Sequence, residues 1–326
     1  MKNIIFPKTL KKGDQIAIIS PAGFVEEASL QSTINLIKSK GYETILGKYT
    51  LGKFENGYNY SGTEKERIQD LNWAFNNPEI SAIWASRGGY GCQHLLRHLK
   101  LSEFRENPKW YIGYSDNTVI NSYLLKNNFA SIHGQTVKTA SFGVSEGSYE
   151  DIFKILEGKK IQYSVEKHQL NKNGKAEGEL IGGNLALIYA LLGTPYSFDF
   201  KDKILFIEDI GENFYALDRM LISLDLAGVF RKIKGLIIGG MTNMGDAKEN
   251  KNYEESFDEF AYEIIAQRIK KYNFPTLFGF PNGHIFDNRP LIIGAKVKIE
   301  VEEKVRYFVL KSLVSDKNNF KVGFPY

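Results

Sequence analysis

From Ile16 to His133 the chain alternates short apolar runs with segments whose apolar residues recur at helical spacing. No other feature limits the possible folds so strongly. Ile16-Ala-Ile-Ile-Ser20 ends at Pro21-Ala-Gly23, and Leu30, Ile34 and Ile37 then mark a helix that Gly41 stops. Tyr42 to Leu46 is a second extended run. Thr63 and Glu66 have the spacing of a capping box, opening a helix with Ile68, Leu71 and Phe75 on its inner face. Ser81-Ala-Ile-Trp-Ala-Ser86 gives a further strand and Gly91 to Leu99 a further helix. Trp110-Tyr-Ile112 then leads through a corner into Val119, Ile120, Tyr123 and Leu124. Apolar strands separated by helices predict an α/β fold whose N-terminal unit is a Rossmann-like, mostly parallel sheet covered on both faces.

A chain of 326 residues has room for a second unit with its own core. Between Ser145 and Glu177 the pattern weakens, and Asn171-Lys-Asn-Gly-Lys has no periodicity, so residues 146–177 read as a connection. The expected division is an N-terminal domain over 1–145, this linker, and a C-terminal mixed α/β domain over 178–326. In the last of these, Leu185 to Leu192 reads as a helix ended by Gly193-Thr-Pro195, and Lys203-Ile-Leu-Phe-Ile207 as a buried strand. Leu217, Leu221 and Leu224 then mark an amphipathic helix, Gly235 to Gly239 another strand, and Phe257, Phe260 and Ile264 another helix. Val297 to Leu310 reads as a terminal pair of strands.

The chain is 43% hydrophobic and 25% charged with a net charge of +4, which suits a globular protein. No basic block is interleaved with aromatics, so a nucleic-acid partner is not expected. The single cysteine, Cys92, rules out an intrachain disulfide or thiolate metal cluster. No apolar run reaches membrane-spanning length, and the N-terminus has no signal-peptide pattern. Cytoplasmic residence without membrane contact is therefore the expectation.

Ser115 occupies the corner Ile112-Gly-Tyr-Ser-Asp-Asn-Thr118 between strand and helix. A serine there projects from both elements beside the N–H groups of the new helix, as a nucleophile requires; capping of the helix by Ser115 or Asp116 is the plainer reading. A seryl hydroxyl needs a base, and the base needs an orienting acid. His284, in Gly279-Phe-Pro-Asn-Gly-His284, lies on a glycine- and proline-shaped loop after an apolar run, where functional groups concentrate. It is the candidate base. His133 ends a short strand and could line the site. His94 and His98 share a helical spacing without a third ligand, so no metal is expected, and His168 reads as solvated.

Glu208, at the end of Ile204-Leu-Phe-Ile207, is the candidate acid, with Asp209 and Glu212 as competitors suited to the first turn of a helix. Ser86-Arg-Gly-Gly-Tyr-Gly91 permits close backbone approach, so Gly89 N–H is paired with Asp116 N–H as an oxyanion hole. It lacks the Lys-Ser/Thr ending of a phosphate loop and the spacing of a dinucleotide fingerprint. Arg87, with Gly88 and Tyr90, is a candidate substrate contact, the guanidinium recognising a carboxylate or pairing with a surface acid.

These motifs together resemble the LD-carboxypeptidase family of serine peptidases, which includes the microcin C self-immunity peptidases. The likeness starts at Lys12-Gly-Asp-Gln-Ile-Ala-Ile-Ile-Ser-Pro-Ala and includes the Ser86 and Ser115 motifs. It continues through Gly182-Gly-Asn-Leu-Ala-Leu, Leu192-Gly-Thr-Pro, Phe206-Ile-Glu-Asp, Leu217-Asp-Arg-Met and Gly239-Gly-Met-Thr to Gly279-Phe-Pro-Asn-Gly-His with Asp287-Asn288. The resemblance implies a Ser115–Glu208–His284 triad spanning both domains, oxyanion donors at Gly89 and Asp116, and no cofactor. It also implies a murein tetrapeptide or related peptide as substrate, with release of terminal D-alanine in cytoplasmic cell-wall recycling. Asn117 stands where the nucleophile elbow of α/β-hydrolases has its last glycine, which separates the chain from that group.

Two other readings stay open at this level. One is hydrolysis of aminoacyl-nucleotide or acyl-amide conjugates, although Thr194 to Phe200 offers no clear platform for a base. The other is a two-lobed binding protein without chemistry. A cysteine hydrolase built on Cys92 is weaker, since Cys92 fits simply as packing after the glycine run. Members of the resembling family are often dimeric, and the apolar stripe of helix 214–228 suits an interface or the core equally.

Overall fold

The computed structural model describes residues 3–245 and 257–310. In the first unit, β1 (Gln15–Ile19) leads through a short 3-10 turn to α1 (Gln31–Ser39) and β2 (Glu43–Leu46). A small hairpin, β3 (Phe54–Glu55) and β4 (Asn59–Tyr60), precedes α2 (Glu64–Asn76). The expected capping box opens α2: Thr63 Oγ1 accepts from Glu66 N, and Glu66 reaches back to Thr63 N. Then come β5 (Ile80–Ala85), α3 (Ser102–Glu106), β6 (Trp110–Ile112), α4 (Thr118–Lys126) and β7 (Ser131–His133). The segment Cys92–His98, expected as an ordinary helix, is 3-10, with Leu95 and Leu96 packed inward.

The first sheet has the order 13-7-6-5-1-2, where the outermost strand, β13 (Leu291–Ile293), returns from far along the chain and pairs antiparallel with β7. The other pairings are parallel. The chain moves to one side of β1 for β2 and to the other for β5. That reversal opens a crevice beyond the carboxyl ends of β1 and β5, the usual ligand position in such sheets. The turn leaving β5 is Ser86-Arg-Gly-Gly.

Residues 146–177, expected as a connection, are structured instead. They contain α5 (Glu146–Leu156), β8 (Gln162–Val165) and the start of β9 (Gly174–Asn184). Tyr149, Ile152, Phe153, Ile155 and Leu156 bury one face of α5 in the same core as Trp84 and Ile112, so burial of that stripe offsets Gly147 and Ser148 near its start.

β9 leads into α6 (Leu185–Leu191), β10 (Ile204–Ile210), α7 (Phe214–Leu226), α8 (Val229–Lys232) and β11 (Gly235–Thr242). After these come α9 (Glu259–Ile269), β12 (Thr276–Leu277), β13, β14 (Lys296–Val301) and β15 (Val305–Val309). The second sheet runs 12-11-10-9-14-15-8, parallel from β12 to β9 and antiparallel beyond. The long β9 belongs to both parts, its first half pairing with β14 and its second with β10. In α9 the inward residues are Ala261, Tyr262 and Ile265, while Phe257 and Phe260 stay exposed, contrary to the spacing-based expectation. α7 buries Leu217, Leu221 and Leu224 and leaves Tyr215 and Leu226 in solvent.

One apolar core crosses from the first sheet to the second, joining Ile18, Trp84 and Ile132 to Tyr163, Phe206 and Ile237. Asn184 N donates to Thr118 Oγ1 at 3.0 Å, which fixes the end of β9 against the start of α4. The carboxyl ends of the two parallel sets therefore meet.

Candidate active site

Ser115 begins a one-turn 3-10 segment between β6 and α4 with φ at 62°. Left-handed backbone is unfavourable for a side chain bearing Cβ and persists only where its surroundings enforce it. Here they do so. Asn117 Nδ2 donates to Tyr114 O at 3.0 Å, Tyr111 Oη donates to Asn117 Oδ1 at 2.5 Å, and Asn121 Nδ2 holds Gly113 O at 3.1 Å. Asp116 and Asn117 are buried, while Ser115 itself is half-buried.

The glycine loop lies directly on this corner. A Cβ added to Gly88 would stand 2.9 Å from Ser115 Cβ and 3.0 Å from its Oγ, so close approach explains glycine there. Behind the loop, the Gly91–Cys92 peptide is gripped from both sides. Its carbonyl accepts from Arg67 Nη1 at 2.9 Å, and its N–H donates to Asp116 Oδ2 at 2.8 Å. Arg67 is buried and also donates to Pro21 O and Gly62 O, so one guanidinium links three turns. Tyr58, from the β3–β4 turn, lays its hydroxyl against Gly89 and the Tyr90 backbone. Gly89 N–H has no protein acceptor among the described residues.

The Asp116 side chain thus acts differently from either sequence reading. It does not cap its own helix but ties the glycine loop to the serine corner. Burial pushes its pKa up, while the Cys92 N–H pulls it down. Arg67 was not anticipated at all.

On the second sheet, Glu208 is fully buried near the end of β10, and its Oε2 is 2.7 Å from His284 Nδ1. The contact fixes a tautomer: Nδ1–H donates to the carboxylate and Nε2 is left as the acceptor. Burial opposes both charges, but the pair prevails. His284 is held above the ordinary imidazole range by Glu208, and Glu208 below the ordinary carboxylate range by His284. A Cβ on Gly283 would sit 2.9 Å from Glu208 Oε2, so glycine lets the loop close on the carboxylate. Asn288 Oδ1 accepts from Gly283 N, and Arg289 ties the same loop to Asp151 of α5 at 3.0 Å.

The His284 ring lies 4.8 Å from the ring of Tyr114, the residue before Ser115. This contact brings the imidazole to the serine corner across the two sheets. Among the described residues, no hydrogen bond yet joins Ser115 Oγ to the ring.

Asp209 has hydrogen-bond partners other than the imidazole: it accepts from Asn184 Nδ2, Ala186 N and Ile210 N, holding the start of α6. Burial and the neighbouring Glu208 push Asp209 up to about 7. His133 is fully buried, edge-on to Phe206 and Tyr114, and burial drives it down to about 4, so it stays neutral beside the pair. His168 is not simply solvated: it stacks on Phe278 and reaches Glu259 at 3.2 Å. His94 contacts Tyr90 and Glu64. Among the described residues no group of His, Cys, Asp and Glu is arranged to hold a metal ion. Cys92 is fully buried, and burial with Asp116 beside it pushes the thiol well up, which removes it as a nucleophile. No described helix is long and apolar enough to cross a membrane.

Known proteins resemble this chain over nearly its whole length. The family model described as LD-carboxypeptidase N-terminal domain matches residues 16–134, and that described as LD-carboxypeptidase C-terminal domain matches 177–299. The Bacillus subtilis (strain 168) protein named "Probable murein peptide carboxypeptidase" is 32% identical, covering 91% of this chain and 92% of the relative. The murein tetrapeptide carboxypeptidase of Pseudomonas aeruginosa is 29% identical, covering 88% and 93%. Among solved structures, muramoyltetrapeptide carboxypeptidase from Oxalobacter formigenes superposes with a TM-score of 0.78 at 27% identity, covering 91% of this chain and 99% of that one. The microcin C7 self-immunity protein MccF in complex with glutamyl sulfamoyl guanosine gives 0.81 at 25%, covering 95% and 99%.

Proposed function

The chain belongs to the LD-carboxypeptidase family of serine peptidases, and on that premise we propose that it releases terminal D-alanine from murein tetrapeptides with Ser115 as nucleophile, His284 as base and Glu208 as orienting acid. The observation that carries the assignment is the buried Glu208–His284 pair, 2.7 Å apart, lying against the residue that precedes a strained serine.

In this reading Ser115 Oγ attacks the carbonyl carbon of the L,D-peptide bond while His284 Nε2 takes its proton. Glu208 keeps Nδ1–H oriented and favours the imidazolium that forms. The N–H groups of Gly89 and Asp116 receive the oxyanion. Collapse of the tetrahedral species breaks the C–N bond, and His284 returns the proton to the departing amine, giving D-alanine and an acyl-serine. Water then attacks the ester with His284 again as base, and Ser115 Oγ regains the proton as the shortened peptide leaves as a carboxylate. The residues supply every proton transfer themselves.

We place this reaction in the cytoplasm, on murein fragments being recycled. The likeness to MccF supports a second reading, hydrolysis of aminoacyl-nucleotide conjugates. Both substrates are to be offered side by side to wild-type and Ser115→Ala protein. The expected result is D-alanine release by the wild type with a large kcat/KM preference for the tetrapeptide, and none by the variant. Wild-type D-alanine release by Ser115→Ala would exclude the serine mechanism, and preference for the conjugate would favour the second reading.

A further inference from the structure

A carboxypeptidase must distinguish a chain end from an internal bond, and the chemical difference is one free carboxylate. The geometry points to Arg87 and Lys138 as a two-cation seat for the C-terminal carboxylate of the residue being released. This inference rests on the functional reading above and adds to it how the substrate's end is recognised.

Arg87 immediately precedes Gly88, whose Cα lies against Ser115. Its guanidinium is half-buried and folds over Gly23, donating from Nη1 to Phe24 O at 2.7 Å. A Cβ at Gly23 would come within 3.1 Å of Nε, so the glycine leaves the guanidinium its room. Lys138 stands on the neighbouring segment Val137–Phe142. Its backbone N donates to Ser86 O at 2.8 Å, which fixes that segment beside the glycine loop. The other end of the segment is tied to the base's loop, since Ser145 N donates to Phe286 O at 3.0 Å. Lys138 thus sits where this stretch of chain joins the loop carrying the oxyanion donor, and seven residues on, the same stretch is tied to the loop carrying His284.

Neither cation has a carboxylate within ion-pair distance among the described residues. Lys138 Nζ is placed over the Phe142 ring at 5.4 Å, and Glu26 is the acid that faces it more distantly. Burial and the nearby Arg87 both lower the Lys138 pKa, and the distant Glu26 opposes them only in part. A carboxylate entering between them would relieve that repulsion and accept charge-assisted hydrogen bonds. The planar fork of Arg87 supplies orientation, and the lysine supplies a point charge. An internal peptide bond offers neither the charge nor the second oxygen.

The test compares hydrolysis of a murein tetrapeptide with that of its C-terminal carboxamide by wild type, Lys138→Met, Lys138→Arg and Arg87→Gln, with thermal melts to establish folding. Wild type is expected to prefer the free acid. Lys138→Met should lower kcat/KM for the acid about 10- to 100-fold while changing the amide by no more than about twofold, because the lost interaction is with the charged oxygen. Lys138→Arg should restore most of the preference. Equal losses on acid and amide in a folded Lys138→Met protein, or a wild type indifferent to the carboxylate, would overturn the seat while leaving the peptidase reading intact. A wild type that hydrolyses neither peptide would overturn the functional reading and the seat with it.

Discussion

On the first sheet, Ser115 is set by backbone. Its φ of 62° is enforced by Asn117, Asn121 and the glycine loop, and neutral or backbone groups make nearly all the contacts. On the second sheet, His284 is set by charge, with a fully buried Glu208 at 2.7 Å, and Gly283 lets its loop close on that carboxylate. The difference matches the tasks proposed for the two sides. A nucleophile and an oxyanion hole must be rigid before substrate arrives, because misplacement by an ångström costs rate. A base must instead change protonation during turnover, and a buried carboxylate favours its cationic form without fixing it there. Strain and buried charge are thus two separable sources of organisation, and each can be removed without the other.

The largest effect is expected on the charged side. Glu208→Gln keeps the shape but removes the anion, and the analogous change in a serine triad costs about 10⁴-fold in kcat. The pH profile gives the sharper reading. His284 must be neutral to accept the serine proton, so kcat/KM rises as pH rises through its pKa. Glu208 holds that pKa above the ordinary value near 6.5. Without that anion, burial, which favours the neutral ring, is opposed only by the weaker influence of Asp209, so the acid limb should move to lower pH. An acid limb unmoved in Glu208→Gln would show that another group governs the profile and that the second sheet does not work through charge.

A smaller effect is expected on the backbone side from Arg67→Gln, measured as kcat and KM separately. The variant frees Gly91 O and Pro21 O, and with them the loop that presents Gly89 N–H. Complete loss of one oxyanion donor costs about 10²- to 10³-fold in turnover, so a donor present but loosened should cost about 10-fold or somewhat more. KM should change little, because ground-state contacts are untouched. The acid limb should also stay where it is, in contrast to Glu208→Gln. A fall in kcat no larger than the loss of folded fraction, with KM unchanged, would reduce Arg67 to a stability residue.

How much of this was legible beforehand follows from the range of each interaction. Most strands and helices of the first sheet, the capping box at Thr63 and the extent of α6 are local patterns and could be read directly, whereas the strand read as ending at Ile207 runs on as β10 to Ile210. α5 was also written locally, in Tyr149, Ile152, Phe153 and Leu156, but Gly147, Ser148 and the following lysines obscured it. The choice between Glu208 and Asp209 was only half visible. Alternation along a strand says that the two face opposite ways, but which face meets His284 depends on a loop 76 residues away. The Arg67 and Asp116 clamp lay beyond local reading altogether. It joins residues 24 positions apart through one peptide, and no periodicity encodes such a contact. The same holds for β13, whose pairing with β7 sends a strand from late in the chain into the first sheet.

The smallest effect tests whether the strain at Ser115 is real and serves only the reaction. Ser115→Gly abolishes the nucleophile, yet it should raise stability. A residue with Cβ in the left-handed region costs roughly 1–2 kcal/mol, and glycine removes that cost. Glycine also enlarges the entropy of the unfolded chain, which takes back about 0.4–1 kcal/mol. The Ser115 hydroxyl contributes no hydrogen bond to offset among the described residues, so the balance favours the folded state by about 0.8 kcal/mol at the middle of those ranges and by up to about 1.6 kcal/mol at their extreme. Ser115→Ala keeps Cβ and should gain nothing, which makes it the control. Both proteins are expected to be inactive, so equilibrium urea unfolding compares them without reference to turnover. A midpoint for Ser115→Gly at or below that of Ser115→Ala would mean that the corner is relaxed. The contrast between the two halves of the site would then lie in charge alone.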